Sequence, residues 1–400
     1  MKVLHVIPSV SPVRGGPSQA LLDIVKALLD RGINAEVVTT NDNGVDLLDM
    51  PLCQLTEYKQ VPIRFFPRFS PPITTLREFA ASSQLTTWLW QHISEYDLLH
   101  IHALFSYPCT TAMAIARLKK VPYLVRPLGL LCTWSLQQSA WKKQIYLALI
   151  ERANLNHSQA LEFTTLQEQR EAAPLALKPP SFILPFSVSV PTPIPDARQL
   201  LRQRLQIPAD EPIILFMSRL HYKKGLDYLI SALGAIKNQR FTFVLAGSGS
   251  PDYESQIEAQ LLAAGISDRT HRVGFVQGEM KELLLQGSDI FALTSHSESF
   301  GLAVLEAIAA GLAIVITPGV PLAPVVEQYQ LGCITALETA TIAKSLQKCL
   351  EDLNNCQQTK QRHDRARQLI LKQYSWGSIA SNLSEVYKSI LDKEPLPNFD

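Results

Sequence analysis

Apolar positions along this chain repeat in two alternating periods. Lys2–Pro8, Ala35–Thr40, Ile63–Phe66, Leu98–His102 and Tyr123–Arg126 are short runs rich in β-branched and aromatic residues, and each reads as a strand. Helical spacing fills the gaps between them. Pro17–Arg31 places Ala20, Leu21, Ile24 and Leu28 on one face and stops at Gly32, and Leu76–His92, Tyr107–Leu118 and Leu136–Asn154 are read the same way. Pro174, Pro179, Pro180, Pro185, Pro191, Pro193 and Pro195 then crowd one stretch with linker chemistry. A second alternating series follows, with strands expected at Ile213–Ser218, Phe241–Ala246, Arg272–Phe275, Ile290–Thr294 and Ala313–Thr317. The last pattern, Trp376–Leu391, has Ser375 as N-cap and Ile379, Leu383, Val386 and Ile390 on one face. Alternation of this kind predicts an α/β fold of two doubly wound domains with largely parallel sheets, residues 1–185 and 196–375. Ligands are expected where the strand C-termini face a cleft between the two.

Composition narrows the partners. At 400 residues the chain is too long for one ordinary core, and 46% hydrophobic against 18% charged residues suffices to bury two. Lys and Arg (37) balance Asp and Glu (36) without a long run of either sign, which argues against a dedicated nucleic-acid binder. The six cysteines show no CxxC pair and read as buried small apolar residues in a reducing compartment. The opening MKVLHVIPSV is too short an apolar run for a signal peptide. Ala307–Val326 carries no charge, but Gly311, Pro318, Gly319, Pro321 and Pro324 exclude a spanning helix, so it reads as a helix end, a buried strand and a loop. A soluble, cytoplasmic protein is the expectation.

Three motifs carry candidate chemistry. Arg14-Gly15-Gly16-Pro17 follows the first strand and opens the first helix, where two glycines and free helix amides suit a phosphate; a tight turn with Pro at N1 has the same spacing. Arg219 ends a strand and Lys224 enters the next helix, so the pair can neutralise a diphosphate or be two solvated cations. Glu298-Ser299-Phe300-Gly301-Leu302-Ala303-Val304-Leu305-Glu306 follows a buried strand. With Glu298 at the start of a helix and Glu306 inside it, their backbones would stand roughly 12 Å apart, too far for a glycosidase dyad. That separation suits two carboxylates holding hydroxyls at opposite ends of a long ligand, with Gly301 and Leu302 offering amides between. Two exposed helix acids would give the same spacing.

Weaker features are read conservatively. Gly247-Ser248-Gly249-Ser250-Pro251-Asp252 lacks a third glycine and a clean helix entry, and is taken as a turn. His100 and His102 share a strand face without a visible third metal ligand. Trp134, Trp141, Lys142 and Lys143 could touch a membrane surface, although core aromatics beside a solvated face are commoner.

Taken in order, these motifs resemble the retaining glycosyltransferases of family 4, with the GT-B fold of two Rossmann-like domains, over nearly the whole chain. ESFGLAVLEAIAAG looks like that family's Glu-x7-Glu signature and SRLHYKKGLDYLISAL like its diphosphate-binding segment. DLLHIHALF and RPLGLLCTWSLQQSAWKKQIYLALIE are similar to segments of its bacterial polysaccharide-synthesis members. The final helix, 376–391, resembles the one that packs back on the N-terminal, acceptor-binding domain. The resemblance implies a hexosyl transfer from a UDP- or GDP-linked sugar to a glycan or lipid-linked acceptor, with retention and without a fixed protein nucleophile. It implies diphosphate contacts from Arg219, Lys224, Gly15 and Gly16. Catalytic Glu298 would touch the donor hexose, Phe300, Gly301 and Leu302 would line it, Glu306 would hold the ribose, and the Gly274-Phe275-Val276 turn would meet the base. His102 is counted among the substrate-binding residues. Leu128 stands where many members carry His, Thr294 where Pro is common, and Gly311-Leu312-Ala313 replaces the usual small-Gly-x-Pro. No metal or other cofactor is expected, because no Asp-x-Asp closes a strand and fixed cations are available. Domain closure on the donor about the Pro174–Pro195 stretch is expected, as is peripheral membrane contact at a cytoplasmic face. An epimerase, a glycan phosphorylase, an NAD oxidoreductase and a non-catalytic nucleotide-sugar-binding subunit are the rival readings. The incomplete glycine fingerprint counts against the oxidoreductase.

Overall fold

Strand Leu98–His102 is buried along its whole length because both faces of its sheet are covered. The computed structural model describes residues 1–138 and 140–399. The chain divides into two units, Met1–Ser187 with Trp376–Asp400, and Val188–Ser375. In the first unit eight strands lie in the spatial order Ser181–Ile183, Ala160–Phe163, Tyr123–Arg126, Leu98–His102, Lys2–Val6, Asn34–Thr40, Val61–Phe66 and Leu55–Tyr58. All pairs are parallel except the last. Successive residues point to opposite faces. Val3, Leu98 and Leu124 join one core with helices Gly16–Asp30 and Trp376–Asp392. Leu4, Leu99, Ile101 and Val125 join the other with helices Ser83–His92 and Tyr107–Lys119.

The second unit is a six-stranded parallel sheet in the order Thr270–Gly274, Thr242–Ala246, Ile213–Met217, Ile290–Leu293, Ala313–Ile316 and Gly332–Ile334. Its central strands are fully buried apolar runs, as a sheet covered on both faces requires. Asp289, just ahead of one of them, is taken up by structure: Oδ2 accepts from Arg202 Nη2 (2.7 Å) and from the Ile213 amide (2.8 Å).

Several sequence expectations are corrected. Leu76–His92 is two helices, Thr74–Glu78 and Ser83–His92, parted where Ala80 is left-handed and Ser82 caps the second by accepting from the Leu85 amide. Leu136–Asn154 divides into Thr133–Gln137, Ala140–Tyr146, one π-helical turn Leu147–Glu151 and Arg152–Asn156, while Ser139 lies outside the described residues. The hairpin strand Leu55–Tyr58 was not anticipated, because its turn is Lys59-Gln60, both left-handed, where Asn-Gly is the usual signal. Ser181–Ile183 is a strand inside the proline-rich stretch, and the units part at Ser187. Among the described residues no helix is long and apolar enough to cross a membrane.

The first unit also buries a polar cluster. His5, His100 and His102 are at most 2% exposed on two paired strands. His5 Nδ1 lies 3.0 Å from His102 Nε2, His100 Nδ1 lies 2.8 Å from the Tyr387 hydroxyl, and His100 Nε2 lies 3.1 Å from Glu162 Oε2. Arg126 Nη1 holds the other Glu162 oxygen at 3.1 Å. Burial holds all three imidazoles below their ordinary value, with mutual repulsion adding to it at His5 and His102. Glu162 is pushed up by burial, but Arg126 and His100 outweigh that and leave it below the usual carboxylate range.

Candidate active site

Strands Ile213–Met217 and Ile290–Leu293 are hydrogen-bonded neighbours running the same way, so the loops that follow them emerge side by side. The first loop ends in the short turn Tyr222–Lys224, which His221 caps by accepting from the Lys223 amide, and then enters helix Leu226–Ala235. The second covers residues 294–301 before helix Leu302–Ala309. The loops are stitched together: the Thr294 hydroxyl donates to the Gly225 carbonyl (2.8 Å) and the His296 amide donates to the Lys223 carbonyl (2.9 Å). Gly225 is left-handed, and a Cβ there would collide with the Thr294 carbonyl oxygen, so only glycine allows this approach.

The result is an ion pair. Lys224 Nζ donates to Glu298 Oε1 at 2.5 Å, and the Ser295 hydroxyl donates to the same oxygen at 2.6 Å. The Glu298 amide is fixed by the Gly319 carbonyl (2.8 Å). The two charged side chains are 14% and 12% exposed, so they are shielded yet reachable. Glu298 is thus paired with a cation, and it sits in the loop ahead of the helix, not at its first turn. The 12 Å helical spacing to Glu306 accordingly does not apply. Gly301, with φ of 95°, turns the loop into the helix and leaves the amides of Leu302 and Ala303 at its open end. The Phe300 side chain is buried, which leaves its backbone as the part available to a ligand.

Glu306 lies on the helix Leu302–Ala309, whose Val304, Leu305, Ala307 and Ile308 are buried. It accepts from Lys281 Nζ at 2.7 Å, a residue of helix Gly278–Gly287. Arg219 is exposed, with no carboxylate within ion-pair distance among the described residues. His221 is held below its ordinary value by partial burial and then by Arg219, Lys224 and Lys223, the signature of concentrated positive charge. A cavity of about 300 Å³ adjoins this loop, lined by Leu220, Leu245, Gly247, Ser248, Glu254, Arg272 and Gly274. The Gly247-Ser248-Gly249 turn packs on the loop that carries Arg219, since a Cβ at Gly247 or Gly249 would strike the Ser218 or Leu220 carbonyl oxygen. It has the helix entry that its sequence did not reveal: Ser250 accepts from the Tyr253 amide at the start of Pro251–Ala264. Val276 is half-buried just beyond strand Thr270–Gly274, beside the exposed Phe275. A larger open groove of about 470 Å³ beside helix Ala197–Leu205 contains none of the expected site residues.

Gly15 and Gly16 belong to the other unit. Gly16 opens helix Gly16–Asp30, and a side-chain carbon added at Gly15 would meet nothing within 4 Å, so ligand atoms have room there. Arg14, in contrast, is a structural residue. Its guanidinium holds both Asp42 oxygens (2.7 and 2.8 Å) and Glu78 (2.6 Å). His102 is corrected from a substrate contact to a core residue, since its ring is 2% exposed and hydrogen-bonded to His5. The third histidine missing from the sequence pattern is His5, whose ring nitrogens, with those of His100 and His102, lie within 4.8 Å of one another. His100 Nδ1 pairs with the Tyr387 hydroxyl, and its Nε2 lies 3.1 Å from Glu162 Oε2. Ser295 and Lys281 were not anticipated; Ser295 lay in plain view three residues before Glu298, whereas nothing in the sequence ties Lys281 to Glu306.

Comparison with known proteins gives a consistent picture. Residues 15–183 match the family described as glycosyl transferase 4-like domain, and residues 197–366 match glycosyl transferases group 1. An uncharacterized glycosyltransferase of Methanocaldococcus jannaschii is 29% identical over 48% of each chain. A GDP-mannose:cellobiosyl-diphosphopolyprenol alpha-mannosyltransferase of Komagataeibacter xylinus is 24% identical over 98% of this chain and 94% of its own. The matched part spans about half or less of the first curated relatives, 48% and 34% of their lengths. Sucrose-phosphate synthase of Thermosynechococcus elongatus shares the fold with a TM-score of 0.77 at 18% identity, over 98% of this chain and all of that one. Anabaena HepE, solved with UDP and glucose, has a TM-score of 0.74 at 21% identity, over 97% of this chain and all of that one.

Proposed function

The chain belongs to the GT-B glycosyltransferases of family 4, and from that premise we propose that it moves a hexose-type sugar from a UDP- or GDP-linked donor to a glycan or lipid-linked acceptor, with retention and without a divalent metal. The observation that carries this reading is the shielded Lys224–Glu298 pair, with Arg219, His221 and Lys223 concentrating positive charge in the loop that supplies Lys224. When the donor's anomeric bond breaks, the leaving diphosphate gains about one negative charge. Arg219, Lys224 and the open amides of Leu302 and Ala303 are the donors that would take it up, worth on the order of several kcal/mol together once shielded from water. Lys224 would pass from Glu298 to the diphosphate, freeing Glu298 to accept from a donor hydroxyl. The departing phosphate then assists deprotonation of the acceptor on the same face, so no protein nucleophile is needed. The donor candidates follow from the relatives: HepE was solved with UDP, and the Komagataeibacter protein is named for GDP-mannose.

The test is turnover of UDP- and GDP-hexoses with a lipid-diphosphate glycan acceptor, read by NMR of the product. Activity is expected to persist in EDTA and to retain the donor's anomeric configuration. An inverted linkage, or abolition by EDTA with rescue only by Mn²⁺, would overturn the mechanism.

A lipid-linked acceptor is further supported by an exposed apolar stripe in the first unit. Trp141, Ile145 and Leu149 recur every four residues and are 65%, 51% and 75% exposed, beside Trp134 and Lys142. Such a face suits the interface of an anionic bilayer. The chain is expected to co-sediment with phosphatidylglycerol vesicles, and Trp141→Glu with Leu149→Glu to reduce binding at least about tenfold. Equal binding by the double variant would exclude this face.

A further inference from the structure

Two cysteines lie outside the site described above. Cys333 is half-buried on Gly332–Ile334, the strand at the edge of the second unit's sheet, so one side of it has no neighbouring strand. Cys349 is buried in helix Thr339–Asp352, and its thiol donates to Cys333 Sγ across 3.8 Å. The sequence reading, which took all six cysteines as buried packing residues, is corrected here, since Cys53 and Cys356 are exposed and these two meet across sixteen residues of chain.

We propose that Cys333 and Cys349 form an oxidant-responsive dithiol that a hydroperoxide closes to an intramolecular disulfide. The Cys333 thiolate attacks the peroxide; its sulfur takes up oxygen to give a sulfenic acid, and the O–O bond breaks to release water or an alcohol. The Cys349 thiol then displaces the hydroxyl as a second water, forming the S–S bond. Two thiols lose two electrons and two protons, and the peroxide accepts both. Closure requires the sulfurs to approach by about 1.8 Å from their present contact. Accessibility assigns the order: the half-buried Cys333 meets the oxidant, and the buried Cys349 resolves it. The local electrostatics agree. The hydrogen bond from Cys349, outweighing partial burial and aided by Lys348, lowers the Cys333 thiol to about 7, while the same bond and burial push Cys349 up. The exposed Cys53 has no such activation, its thiol being raised by desolvation.

The test uses the full chain, reduced, freed of reductant and treated with equimolar hydrogen peroxide at neutral pH. Tandem mass spectrometry should find the Cys333 and Cys349 peptides linked, with the thiol count under denaturing conditions falling by two and restored by dithiothreitol. Cys349→Ser should leave a sulfenic acid on Cys333 that dimedone traps, and Cys333→Ser should give neither link nor adduct at Cys349. Oxidation of Cys53 or Cys356 ahead of Cys333, or an untrapped Cys333 in Cys349→Ser, would overturn the proposal.

Discussion

Replacing Lys224 by Ala should lower kcat/KM for the nucleotide-sugar by about a hundredfold to a thousandfold, with the fold intact by circular dichroism. The residue caps no helix and packs no core; its contact is the charged hydrogen bond to Glu298. Removing it takes away a donor to the diphosphate and leaves Glu298 with only the Ser295 hydroxyl on that oxygen. Glu298→Gln should cost about tenfold to a hundredfold, the loss of one charged contact of ~1.5–3 kcal/mol. Since the two side chains share a bond, the double variant should fall well short of the product of the single losses. Initial rates on all three proteins decide the matter. Single variants within threefold of the parent, or fully multiplicative losses, would mean that Lys224 and Glu298 do not act as a coupled pair on the donor.

Acidification should destabilise the first unit. The imidazoles of His5, His100 and His102 are held below their ordinary value in the folded chain, so below a pH of about 6.5 the unfolded chain binds more protons than the folded one. Stability therefore rises with pH through this range: it is complete above about 6.5 and is lost as pH falls. Each histidine contributes at most about 1.4 kcal/mol per pH unit, so three together approach 4. Glu162, lowered by Arg126 and His100, adds stability that disappears only at still lower pH, as its carboxylate protonates. All five tryptophans, Trp88, Trp90, Trp134, Trp141 and Trp376, lie in the first unit, so fluorescence-detected urea unfolding follows that unit alone. The midpoint should fall steeply from pH 7.5 to 5, and His5→Gln should flatten the slope by about a third. A midpoint independent of pH would show that the cluster is solvated.

The alternation of strands and helices was legible in the sequence because a parallel sheet covered on both faces writes itself as continuous apolar runs, as in Ile213–Met217 and Ile290–Leu293. Arg219, Lys224 and Glu298 were legible for a related reason: each follows such a run, where the loops of a doubly wound sheet gather. Segments that break the apolar rule were missed. Ala160–Phe163 carries Glu162 in its middle, and Arg126 on the neighbouring strand with His100 on the strand beyond it makes that charge tolerable. The Lys59-Gln60 hairpin and the Ala80 break rest on left-handed residues with no glycine to announce them.

Local period was enough to place the apolar runs inside and to put Arg219, Lys224 and Glu298 in the loops that follow them, because both depend on near neighbours along the chain. The partners of these residues come from the folded chain. It paired Glu298 with Lys224 and Ser295, placed Lys281 on Glu306, and brought His5 to His102 across 97 positions and Cys333 to Cys349 across 16. These pairings depend on which strands become neighbours and how far each loop reaches, and a one-dimensional pattern of apolar and polar positions carries neither distance.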